Sequence, residues 1–159
     1  ARAVGPAELT VRPRSPEGPR MPISDRVSRL VDRAFSRLGA VGFDGLSEKE
    51  RVLVCAWSLV GEVDNGGLEQ FLFNSSGDWA CSTPRTLEEL GFPDEAALFS
   101  KALQLFPDGA PSREIDERRD QIDRLSAEAY VALFEAEAKL DTGRVGSALV
   151  TFINHNFEQ

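Results

Sequence analysis

"VGEVDNGGLEQFLFNSSGD", residues 60–78, holds the sharpest interruption in a sequence otherwise patterned for helices. Acids, amides, glycines and phenylalanines crowd together there, and three readings compete: a metal loop, a catalytic constellation, or architecture. An EF-hand loop needs acids or amides at its first, third and fifth positions. Counted from Asp64, the third is Gly66 and the fifth Leu68, so the calcium reading fails. A phosphate loop needs Gly-Lys-Ser or Gly-Lys-Thr after its glycines, and neither follows. Zinc needs several Cys or His ligands at short spacing, whereas the chain has one histidine, His155, within "FINHNF". No metal and no cofactor is expected.

Architecture explains the stretch better. Asn65-Gly66-Gly67 supplies residues that tolerate left-handed geometry or close backbone approach. It is expected to end an apolar helix near Glu62 and to begin a short helix bearing Leu68, Phe71 and Leu72. Gln70 and Asn74, four apart, share one face of that helix. With Asn65 they are expected to bond chiefly to backbone or to each other. Gly77 is expected as the C′ residue that closes the helix. The structural motif is therefore Asn65, Gly66, Gly67, Gln70, Phe71, Asn74 and Gly77.

Working outward, the 3- and 4-residue apolar steps Val27, Leu30, Val31, Ala34, Phe35, Leu38 predict a helix capped by Ser24 or Asp25. Ser47 with Glu50 forms a capping-box pattern ahead of "VLVCAWSLV", apolar nearly all round and so the expected central helix. Thr83-Pro84 begins a short helix ending at Gly91, and "PDEAALFSKALQLFP" is a further amphipathic helix. "SREIDERRDQIDRL" reads as a solvated, charged helix with Ile115, Ile122 and Leu125 on one stripe, supported by pairs such as Glu114 with Arg118. In "AEAYVALFEAEAKL", Tyr130, Leu133, Phe134 and Ala138 are expected to face inward. A last helix carries Val145, Leu149, Phe152, Ile153 and Phe157. No segment alternates as a strand does, so the fold is predicted all-α, one domain of about seven helices. Val54, Ala56, Trp57, Val60, Phe71, Phe73, Phe99, Leu103, Leu133, Phe134 and Leu149 are the expected core.

Residues 1–20 hold four prolines and four arginines with no apolar core, neither a secretory signal nor a foldable helix. They read as an added or alternative-start arm, with "MPISDRV" as the natural start of a domain over 21–159. No apolar run approaches the roughly 18 residues that span a bilayer. Cys55 and Cys81 form no CxxC, and a reducing cytoplasm is the simplest compartment.

The net charge of -8 is unevenly placed. Residues 1–20 carry +2 and the other 139 carry -10. Between 62 and 95, eight acids (Glu62, Asp64, Glu69, Asp78, Glu88, Glu89, Asp94, Glu95) face only Arg85. Direct nucleic-acid binding is not expected, because phosphate contact needs clustered Lys and Arg; a basic protein partner fits the charge. Glu62, Asp64 and Glu69 alone do not make a glycosidase pair, and Cys81 with His155 has no nucleophile signature. The chain is not expected to be an enzyme.

Gly61-Glu62-Val63, Asn65-Gly66-Gly67, Gln70-Phe71 and Phe73-Asn74-Ser75-Ser76-Gly77, followed by "LEELGF" and "KALQLFPDGAPSRE", resemble the bacterial DNA-mimic protein domain, formerly a domain of unknown function. The resemblance runs from about Ser24 to the C-terminus. It implies an all-helical, acidic, dimeric protein that imitates duplex DNA and occupies the DNA-binding surface of a transcription factor. A domain of this length is roughly 35–40 Å across, and duplex DNA of that length carries on the order of 20 phosphates, about half of them touched by a partner. A net -10 matches that only if it is gathered on one side. The alternative is an acidic interaction or immunity-type adaptor that binds a basic protein without imitating DNA.

Overall fold

A computed structural model describes residues 23–157. The arm expected at 1–20 lies outside the described residues, as do Met21 and Pro22 of the proposed start. Among the described residues there are seven α-helices, three 3-10 segments and no strand. They are α1 (Asp25–Val41), α2 (Glu48–Phe73), α3 (Thr83–Glu89), α4 (Pro93–Gln104), α5 (Ile115–Asp123), α6 (Ala127–Lys139) and α7 (Thr142–Asn156). The fold is all-α, as the sequence pattern implied.

Local chemistry sets most of the helix starts. The Ser24 side chain accepts from the Val27 N–H and caps α1. Ser47 and Glu50 make a reciprocal capping box on α2, each side chain taking the other's backbone N–H. Burial pushes the Glu50 carboxyl up, but the Ser47 bonds and the charges of Arg37 and Arg33 outweigh it and hold the group below its ordinary range. Ser126 and Asp141 cap α6 and α7 by accepting from the Ala129 and Arg144 N–H groups, and proline opens α3 and α4.

Helix α2 is the axis. It packs against α1, α3, α5, α6, α7 and the 3-10 segment Ser75–Ser82. Its apolar first half, from Val52 to Leu59, supplies five consecutive buried residues, Val52, Leu53, Val54, Cys55 and Ala56. Two cores form along it. One joins α1, the first half of α2 and α7 through Val27, Val31, Leu53, Leu149 and Ile153. The other joins the second half of α2 with α3, α4, α5 and α6 through Phe71, Leu87, Phe99, Ile122 and Leu133. Phe43 stacks on Trp79 at 5.6 Å between centroids, tying the turn before α2 to the segment after it.

Several expected core positions lie elsewhere. Trp57 and Val60 are only partly buried, on the margins of the two cores. Phe73 is 43% exposed and Phe134 79%. Tyr130 and Ala138, read as inward, are exposed too. The reason is that α6 is apolar on both sides: Ala129, Ala132, Leu133 and Ala136 already fill its buried face, leaving the other apolar side chains to solvent. Periodicity alone does not say which of two apolar faces is the inner one.

Cys55 is fully buried, and desolvation pushes its thiol from 9.0 up to about 12 against weaker opposing hydrogen bonds from Thr86 and Thr83. The folded state therefore favours the neutral thiol. This stabilisation is complete below pH 9.0 and is lost as pH rises toward about 12. At pH 8, Ellman titration of the native protein should count one thiol, Cys81, and two after denaturation. Two fast-reacting thiols in the native protein would contradict the burial of Cys55.

Candidate protein-binding surface

The glycine pair interrupts α2, which is two helices joined across a kink. Gly66 (φ -159°, ψ 16°) and Gly67 (φ 81°, ψ -176°) are non-helical, yet helical bonding resumes through Phe73. The short helix expected after the breaker, bearing Leu68, Phe71 and Leu72, is thus present, beyond a two-residue kink. Each glycine answers a different demand. At Gly67 the positive φ favours glycine, and a Cβ would also meet the Glu137 carboxylate at 2.6 Å. At Gly66 a Cβ would collide with the folded-back side chain of Gln70. Glu137, from α6, accepts the Leu68 N–H at 2.8 Å, placing an anion where the restarted helix presents unpaired donors. The sequence reading missed Glu137, since a carboxylate 69 residues away leaves no local pattern.

The amides bond to a carboxylate, correcting the expectation of backbone or mutual partners. Glu62 Oε2 accepts from Gln70 Nε2 at 2.7 Å and from Asn74 Nδ2 at 3.0 Å, while Oε1 accepts from Ser76 Oγ at 3.4 Å. One half-buried anion thus clamps the two halves of α2 across the kink. Asn65 is exposed beside it.

Gly77 is not a left-handed C′ residue. Asn74 is the C-cap of α2, and the chain passes directly into the 3-10 segment. Gly77 is glycine because a Cβ there would run into the Arg118 guanidinium and the Leu72 carbonyl. Arg118, on the helix read as solvated, is 0% exposed. Its Nε donates to the Leu72 carbonyl (2.6 Å), Nη1 to those of Ser112 (2.7 Å) and Arg113 (3.2 Å), and Nη2 to the Asn74 carbonyl (2.8 Å) and Asp78 Oδ1 (2.8 Å). All five guanidinium donors are used, so no pair with Glu114 forms. Gln121, also buried, holds the loop before α5 through Pro107, Ala110 and Ser112.

The eight window acids therefore divide. Glu62 and Asp78 are engaged internally. Asp64 accepts from Thr142 Oγ1 at 2.6 Å and Glu89 pairs with Arg85 at 3.2 Å, both at the surface. Glu69, Glu88, Asp94 and the half-buried Glu95 have no hydrogen bond or ion pair among the described residues. The eight are distributed over α2, the 3-10 segment Ser75–Ser82, α3 and α4.

A larger segregation is visible. The part built on the second core, residues 62–141, holds eighteen acids against seven Lys and Arg, a net of -11. The part containing α1 and the first half of α2, residues 23–61, holds five against six, a net of +1. The negative charge sits on one lobe, and α5 and α6 add a net -4 to the -7 of the window, through exposed acids such as Asp116, Asp120, Asp123, Glu128 and Glu135. No helix among the described residues is long and apolar enough to cross a membrane. His155 bonds the Thr151 carbonyl of its own helix through Nδ1 at 2.7 Å.

Residues 44–156 match the model of the DMP19-like protein family, a DNA-mimic family, and the chain belongs to it. The matched span begins at the turn before α2 and includes the kink, the Arg118 site and the whole acidic lobe. No curated protein and no solved structure matches the chain.

Two substitutions test the architecture. Arg118→Lys keeps the charge but has three donors in place of five, and should destabilise the fold by about 1–3 kcal/mol for each acceptor left buried and unpaired. Gly67→Ala should cost on the order of 1–3 kcal/mol from backbone strain alone. Denaturant midpoints unchanged within about 0.5 kcal/mol, the range of neutral surface changes, would show that neither site carries the fold.

Proposed function

We propose that this member of the DMP19-like family is a non-enzymatic, cytoplasmic DNA mimic whose acidic lobe occupies the DNA-binding surface of a basic regulatory protein and keeps DNA off it. The observation that carries the reading is the segregation of charge, -11 on residues 62–141 against +1 on residues 23–61. A mimic must offer charge on the scale of the roughly ten phosphates that a DNA-binding protein touches over this length. A lobe of -11 is of that order, whereas the same charge spread over the whole surface would fall short. Two copies, as the family resemblance implies, would extend the run toward the phosphate count of the full duplex.

Glu62 and Asp78 already hold internal partners, Asp78 while its side chain stays 41% exposed. Glu69, Glu88 and Asp94 are the free carboxylates of the window, with Glu89 half-neutralised by Arg85. The chemistry of such a surface is electrostatic: it governs encounter rate and salt sensitivity more than final affinity.

Competition tests the proposal. Titrating the protein into a complex of its partner with operator DNA should release the DNA, and raising salt should weaken the effect steeply. Glu88→Lys with Glu89→Lys should slow association and flatten the salt dependence while leaving the melting curve in place. A stable ternary complex of partner, DNA and this protein would eliminate mimicry and favour an acidic adaptor.

A further inference from the structure

Helix α6 carries an apolar stripe that nothing in the described structure covers. Ala127, Val131, Phe134 and Ala138 recur at the 4-, 3- and 4-residue steps that place side chains on one helix face. All four are exposed, Val131 by 58% and Phe134 by 79%. Apolar side chains thus lie on two faces of α6, of which only one is buried. Glu128 and Glu135 follow one flank of the stripe, on the lobe that carries -11.

Resting on the DNA-mimic reading, we propose that this stripe is the apolar anchor of the partner interface, and that its occupant is a basic amphipathic helix. Phosphate-like charge speeds encounter but discriminates poorly among basic proteins, whereas a buried aromatic anchor fixes register. The size of the stripe points the same way. A fully buried aromatic contributes about 150–250 Å², so the stripe covers a few hundred Å², against about 800 Å² per partner in a stable interface. The acidic rim must supply the remainder, which selects a basic occupant. A second copy would bring two acidic lobes together at this face, and an anionic membrane would be repelled in the same way.

A synthetic leucine-arginine amphipathic helix is the probe, with a scrambled peptide of equal composition and charge as control, both read by calorimetry. The wild-type protein should bind the ordered peptide at least about tenfold more tightly, a difference of 1.4 kcal/mol. Phe134→Ser should erase that preference without changing affinity for the scrambled peptide, and Glu128→Lys with Glu135→Lys should weaken both. Equal binding of the two peptides, or a preference that survives Phe134→Ser, would overturn the proposal. So would a wild-type dimer in sedimentation that Phe134→Ser converts to monomer, since a second copy would then cover the stripe. DNA competition separates the two readings: equal release of DNA by wild type and Phe134→Ser removes the anchor and leaves mimicry standing.

Discussion

A buried arginine organises the acidic half of the molecule. Helix α2 ends at Phe73 with unpaired carbonyls, and the chain must turn sharply before α3. Arg118 meets both needs, fixing the carbonyls of Leu72 and Asn74 from one side and those of Ser112 and Arg113 from another. Burying a guanidinium is costly unless every donor finds an acceptor, and here each does. Gly77 exists to make room for it, and Asp78 balances part of its charge. With that ion in place, α5 is pinned to the end of α2, and α6 follows over the kink.

The kink is the second constraint. Glu62 clamps the two halves of α2 through Gln70, Asn74 and Ser76, and Glu137 reaches in from α6 to receive the restarted helix at Leu68. Two of the acids that a charge count assigns to a surface are thus structural, Glu62 and Asp78. The carboxylates left for a partner belong to a wider lobe, formed by α3 to α6 around a separate apolar core.

The helices were legible because caps and periodicity are local: Ser47 with Glu50, Thr83-Pro84 and the glycine pair each announce an element within a few residues. What the sequence concealed is long-range. Arg118 lies among five other charged residues between Glu114 and Asp120, where a solvated face is the natural reading, and only the distant carbonyls of α2 turn it inward. Glu137 is similarly anonymous in "FEAEAKL". Phe134 and Tyr130 read as inward because apolar side chains on α6 recur on both faces, and nothing local distinguishes the side that Leu133 fills. The motif from Gly61 to Gly77 carries the family resemblance while its residues serve the fold, and the proposed surface rests on the distribution of charge.

The central claim is that one fully satisfied, buried guanidinium holds this lobe together. The most direct test is hydrogen exchange at the arginine Nε–H, followed by NMR at pH 7. One Nε–H signal, assignable to Arg118 by its loss in Arg118→Lys, should persist far longer than those of exposed arginines such as Arg29 and Arg33. If every arginine Nε–H exchanges at the solvent rate, the buried site does not exist and the account fails.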